Sequence, residues 1–167
     1  MTVKTEAELN TDFADGFRTI TAAQLRDFVD SRFAVGGILH GQDNVQGVTT
    51  GVTDFASYDA SLDTKGVSEN LVDGTYTIQT GADGSFSMAF VAVIEAAGAG
   101  TIEFGLHKNG VVLPFRCSLP ILANTPTLFS VIGGTSVVAT DVLGVKWQGS
   151  ANASVTVHDT QFRVVRA

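Results

Sequence analysis

Phe86-Ser87-Met88-Ala89-Phe90-Val91-Ala92-Val93-Ile94 is the stretch that decides the fold. Phe86, Met88, Phe90, Ala92 and Ile94 fall on one side of a period-two pattern, and Ser87, Ala89, Val91 and Val93 on the other. The second side turns from polar to apolar along the strand, and a strand apolar on both faces is covered on both. This predicts a central strand of a two-layer sandwich whose outer face meets another element or another subunit. Ala89, Val91 and Val93 are the candidate contacts for a neighbouring copy.

Working outward, the same period continues on both sides. Thr75 to Gln79 is a short strand after the turn residues Asp73-Gly74, and Ala82-Asp83-Gly84 turns the chain into the central strand. Downstream, Thr101 to Lys108 places Ile102, Phe104 and Leu106 inward and Glu103 and His107 outward. Asn109-Gly110 then suits a type I′ turn, in which both central residues need positive φ, and Val111 to Phe115 returns as the partner strand. Pro114 and Pro120 cannot donate to a ladder, so the returning strand belongs at an edge. Further strands are expected at Thr127 to Ile132, Thr135 to Thr140, Val142 to Trp147, Ala153 to His158 and Phe162 to Val165. Many short strands at steady spacing make a mainly β jelly-roll sandwich, assigned to residues 46–167. Trp147 alternates with Leu143 and Val145 and reads as core, although an exposed tryptophan would make a carbohydrate platform. Cys117 reads as a small core residue, and as the single cysteine it forms no intrachain disulfide.

Residues 1–45 differ in kind. Thr, Glu, Asp and Asn surround isolated aromatics at Phe13 and Phe17, with no period that could form a core. Thr21 followed by Gln24 is a capping box, and Ile20 and Leu25 sit where a hydrophobic staple closes. Leu25, Phe28, Val29 and Phe33 line one helical face, and Gly36-Gly37 ends a helix expected at about residues 22–34. Three turns do not persist alone in water, so this stripe must rest on something. One support is the chain's own β module or a sister subunit. The other is a larger assembly, for which Phe13, Phe17, Ile20, Leu25, Phe28, Val29 and Phe33 are the candidate anchoring residues.

Composition excludes several functions. The net charge of -7 over 167 residues offers no Lys/Arg cluster for nucleic acid or an anionic membrane surface. Only 16% of residues are charged while mean hydropathy is +0.24, which favours a surface covered by other subunits over a Ser/Thr/Gly-rich monomer. The start of the chain lacks the apolar run of a secretory signal, and no stretch is apolar enough for a membrane span; synthesis in a cytoplasm is expected. His40, His107 and His158 are far apart in sequence without neighbouring ligands, which argues against a metal, and His107 and His158 are expected at the surface near strand ends. No nucleophile, base and orienting group come together, so no cofactor and no enzymatic activity are expected.

Two resemblances follow from particular segments. Glu103-Phe104-Gly105-Leu106-His107-Lys108-Asn109-Gly110, Thr140-Asp141-Val142-Leu143-Gly144-Val145-Lys146-Trp147 and Ala153 to Val164 resemble the later strands of TNF/C1q-like jelly rolls. That resemblance covers roughly residues 48–166 and implies a tight homotrimer. Ile20-Thr21-Ala22-Ala23-Gln24-Leu25-Arg26-Asp27-Phe28-Val29-Asp30-Ser31 looks like a segment near the N-termini of bacteriophage fibre and virion-decoration proteins. Together they imply a virion structural protein: a trimeric capsid decoration or head fibre, attached through its arm to the major capsid protein or another virion protein. The alternative is a tail-fibre or receptor-binding module that recognises host-surface glycan.

Overall fold

The computed structural model describes residues 35–167. The chain divides into two units, Met1–Ala34 and Val35–Ala167. The expected helix at about 22–34 and its capping box lie outside the described residues.

Eleven strands build the described unit: β1 Gly36–Val48, β2 Thr53–Asp54, β3 Ala60–Lys65, β4 Val67–Asn70, β5 Thr75–Ile78, β6 Gly84–Ala96, β7 Gly100–Lys108, β8 Val111–Ile121, β9 Thr127–Val137, β10 Val142–Gly149 and β11 Ala153–Arg166. They form two antiparallel sheets, of order β3-β1-β11-β6-β9 and β4-β5-β10-β7-β8, with β2 added against β10. The jelly roll read from the sequence is what the chain forms.

β6 behaves as its alternation dictates. Phe86, Met88, Phe90, Ala92 and Ile94 are all buried, and β6 is flanked by β11 and β9. Phe55, which follows β2, fills the space between the sheets. Its ring meets Phe90, Phe104 and Trp147 edge-on at centroid distances of 5.2, 5.4 and 5.1 Å. Aromatic pairs in this geometry add to the burial of each ring, so a segment with almost no ladder of its own is held by its side chain. Trp147 is buried, and Cys117 packs half-buried against the core.

Asn109 and Gly110 have φ of 51° and 77°, both positive as a type I′ turn requires. β8 is an edge strand and carries both prolines. Pro114 falls in an irregular stretch where the β7–β8 register shifts between Gly105 and His107, so its missing N–H breaks no regular pair.

Three expectations on the extent of strands are corrected. The β module begins at Gly36, ten residues before the expected 46, because Gly36–Val48 pairs along β11 and β3. In the first half of this strand the inward positions are Gly37, Leu39 and Gly41, so before the buried Val48 at its end the alternation carries one large side chain and is nearly silent. Those glycines are demanded by packing: a Cβ on Gly37 would press on the Tyr76 ring, and one on Gly41 would overlap the Ser57 carbonyl. Second, Gly133-Gly134 does not divide two strands. β9 runs straight through, paired with β6 on both sides of these residues, and glycine stands at 133 because a Cβ there would overlap the Phe115 ring. Third, β11 is one strand from Ala153 to Arg166, with a bulge at His158 where the register against β6 shifts between Val157 and Asp159.

Candidate interaction face

Directly paired residues in an antiparallel sheet share a face, so the registers define the outer face of the five-stranded sheet. One row across it reads Leu62, Ile38, Arg163, Ala89, Ile132. The next reads Ala60, His40, Gln161, Val91, Ser130, and a third Gln42, Asp159, Val93, Leu128. Ala89, Val91 and Val93 therefore stand together on this face. Apolar side chains reach far into solvent around them: Ile132 is 70% exposed, Leu128 60% and Leu62 51%.

A shallow depression of about 340 Å³ lies beside Val91 and Val93, rimmed by His40, Gln42, Asp159 and Gln161. The β11 bulge helps to shape this side of the sheet, and Thr160, turned inward, donates its hydroxyl to the Val91 carbonyl at 3.3 Å. At the bulge His158 sits between two carboxylates, 3.0 Å from Glu95 Oε2 and 3.6 Å from Asp43 Oδ1. Asp43 adopts a left-handed φ of 50° directly opposite. The face thus combines protruding aliphatics at the β9 and β3 edges, an apolar floor on β6 and a polar rim.

Leu128 and Ile132 were legible by the criterion that singled out β6. Phe129 and Val131 point inward from β9 while Leu128, Ser130 and Ile132 point outward, which makes this strand apolar on both faces too. Ile38 and Leu62 carried no comparable signal, because β1 and β3 show little alternation. The arm candidates Phe13, Phe17, Ile20, Leu25, Phe28, Val29 and Phe33 all lie outside the described residues.

The six-stranded sheet presents a different outer face. Lys146 on β10 is paired in register with Asp54 on β2, and Nζ lies 2.9 Å from Oδ1. Arg116 on β8 reaches Glu103 on β7 at 3.2 Å, and Gln148 donates to the same carboxylate at 3.4 Å. The expected surface position of His107 is corrected here, since only 2% of the residue is exposed. Gly144, opposite it in the ladder, leaves room for the ring. Burial pushes His107 down to about 4, with Asp54 opposing that shift and Lys146 adding to it. Sequence alternation placed His107 correctly on the outer side of β7. What it could not supply was the set of neighbours around the ring, Gly144 of β10, Thr75 of β5 and the Asp54 side chain of β2. His158 remains partly exposed, as expected.

Among the described residues no group of three or more His, Cys, Asp and Glu is placed to hold a metal ion, and no helix is long and apolar enough to cross a membrane. Trp147, read as core from its alternation with Leu143 and Val145, is 2% exposed and so offers no carbohydrate platform.

Two stacked antiparallel sheets in this order, with β11 inside one and the β7–β8 hairpin at the edge of the other, define a jelly roll of the TNF/C1q type. Solved structures of that type superimpose on the chain. Murine APRIL at pH 5.0 aligns with a TM-score of 0.54 at 14% identity, over 78% of this chain and 98% of the APRIL chain. Murine APRIL at pH 8.5 gives 0.52 at 15% identity over the same shares. The globular domain of zebrafish complement 1qA gives 0.50 at 11% identity, over 78% of this chain and 95% of that domain. Likeness at this level of identity establishes the fold. No family model and no curated protein sequence matches the chain.

Proposed function

We propose that the chain is a non-catalytic structural protein of a bacteriophage virion, a capsid decoration or head fibre. In this reading it trimerises through the outer face of the five-stranded sheet and is anchored by residues 1–34. The observation that carries the reading is the exposure of Ile132 and Leu128 on β9 beside Val91 on β6, with Leu62 exposed at the far edge, on a face whose central rows contain only Arg163 and Asp159 as formal charges. A monomer would leave that surface in water, and contiguous apolar patches of this kind mark contact sites. Ile132 and Leu128 protrude from one edge of the face while the floor beside Val91 and Val93 is recessed. Protrusion and recess on one chain favour a head-to-tail contact, which closes into a ring when the rotation allows. The number three comes from the TNF/C1q-like resemblance, and the virion from the segment Ile20 to Ser31. Three arms on one particle bind together, so modest contacts from Phe13, Phe17 and the Leu25/Phe28/Val29/Phe33 stripe suffice for firm attachment.

The test has two parts. Light scattering of the full chain should give a particle near three times 17.5 kDa. A chain lacking residues 1–34 should keep that stoichiometry and no longer join virions, because β1 and the sheet face are left whole. A monomeric full chain removes the trimer, and normal incorporation of the shortened chain removes the anchor.

A further inference from the structure

We propose that His107 is an acid-operated catch on the β7–β8 turn. Its neutral Nδ1 holds Gly110 in place, and proton uptake at that nitrogen frees Gly110 at the tip of the turn while Asn109 keeps the base of the turn closed.

The ring is a fixed element. It is buried on the outer side of β7, with Gly144 of β10 directly opposite, and a Cβ on that glycine would press on both Nε2 and the Thr75 methyl of β5. The Gly110 N–H donates to Nδ1 at 3.3 Å, which assigns the proton of the neutral ring to Nε2. That nitrogen has no hydrogen-bond partner and faces Asp54 Oδ1 of β2 at 3.5 Å. The carboxylate oxygen is already engaged by Lys146 Nζ of β10 at 2.9 Å. Asp54 and Lys146 are the charged groups that face the ring from β2 and β10.

When the ring takes up a proton, Nδ1 becomes a donor and the Gly110 N–H meets another N–H where it had an acceptor. At the other end the charged ring competes with Lys146 for Asp54. The ring has no room to turn away, so the turn is the part that yields. Asn109 is tied by bonds that do not involve His107: its N–H donates to the Val142 carbonyl at 2.8 Å, its Nδ2 to Asp141 Oδ1 at 2.6 Å, and its Oδ1 accepts the Val142 N–H at 2.7 Å. Asp141 also accepts the Val138 N–H and lies 3.2 Å from Lys108 Nζ, which together hold its carboxyl below the ordinary value. The two bonds between Asn109 and the Val142 backbone involve no titrating group, so the base of the turn stays tied under conditions that open its tip.

The experiment is amide hydrogen exchange by NMR on the full chain from pH 7 to pH 3.5, alongside titration of the His107 ring. Protection of Gly110 should fall about tenfold, the worth of one hydrogen bond, with the midpoint of the ring, while Asn109 keeps its protection. Asp54→Asn removes the carboxylate that favours the charged ring without touching the bond to Gly110. The loss of protection should then move to lower pH together with the ring. Gly110 protection that is indifferent to the ring's titration, or Gly110 and Asn109 losing protection together, overturns the proposal.

Discussion

The two sheets of this sandwich share one core and present opposite surfaces. On the six-stranded sheet the outward charges find partners within the chain, Lys146 with Asp54 and Arg116 with Glu103. On the five-stranded sheet the outward positions interleave Ala89, Val91, Val93, Leu128, Ile132, Ile38 and Leu62 with the uncharged polar Gln42, Gln161 and Ser130, and charge is sparse in the central rows. Both faces obey the same alternation, and both have a mainly apolar inner side. The difference teaches that the inner pattern of a strand defines the fold, whereas the outer pattern says what the fold is covered by, water or protein.

The comparison breaks most visibly if assembly ignores it. Val91→Asp or Ile132→Asp places an unpaired charge in the proposed contact, a change that costs about 3–5 kcal/mol when such a charge is buried. The oligomer should dissociate to a monomer by light scattering, with the thermal transition of the monomer itself little affected, since both side chains are exposed within one chain. Arg116→Ala on the opposite sheet should leave the stoichiometry intact. Equal effects from the two faces would abolish the distinction between them.

Acid sharpens it from the other side. The folded value of His107, about 4, lies below its ordinary 6.5, so the unfolded chain takes up the proton first as pH falls. The contribution of the neutral ring is complete above about pH 6.5 and is lost as pH falls toward 4, by at most about 3 kcal/mol. Asp141, held below its ordinary value of 3.8, adds a further loss at lower pH as it protonates. Denaturant titrations at pH 7 and pH 4 should show this decline in the wild type and a smaller one in His107→Gln, compared at equal protein concentration so that association cancels.

Gly37→Ala tests the strand that sequence periodicity missed. The new Cβ would lie against the Tyr76 ring, which is fully buried, and overpacking of this kind costs about 1–3 kcal/mol. Gly47→Ala on the same strand meets nothing nearby and should cost less in the same urea titration. The pair explains what was readable and what was not. β6, the Asn109-Gly110 hairpin and the edge position of the proline-bearing β8 were legible because each rests on side-chain pattern or local turn chemistry. β1 was not, because glycine takes the inward positions 37 and 41, against the Tyr76 ring and the Ser57 carbonyl, and breaks the alternation there. In the candidate face, Ala89, Val91 and Val93 were legible from two-sided apolarity, and the same signal in Leu128 and Ile132 was available. Ile38 and Leu62 join them only through pairing across β1, β3 and β11, which no local window contains. The burial of His107 depends likewise on distant partners, Gly144 of β10, Thr75 of β5 and Asp54 of β2.

The smallest effect separates a solvent face from a covered one by salt. Lys146 and Asp54 are opposed in register, and Asp54 is half exposed, so water screens the pair and its side chains lose freedom in forming it. A double-mutant cycle with Lys146→Met and Asp54→Asn should give a coupling of about 0.2–1 kcal/mol that declines as salt is raised. The aliphatic contact should behave in the opposite way. Sulfate strengthens the burial of apolar surface, so dissociation of the oligomer should weaken in the same solutions that erase the Lys146–Asp54 coupling. If sulfate promoted dissociation, the five-stranded face would be held by charge, and Arg163, Asp159 and Glu95 would replace Val91 and Ile132 as the residues to examine.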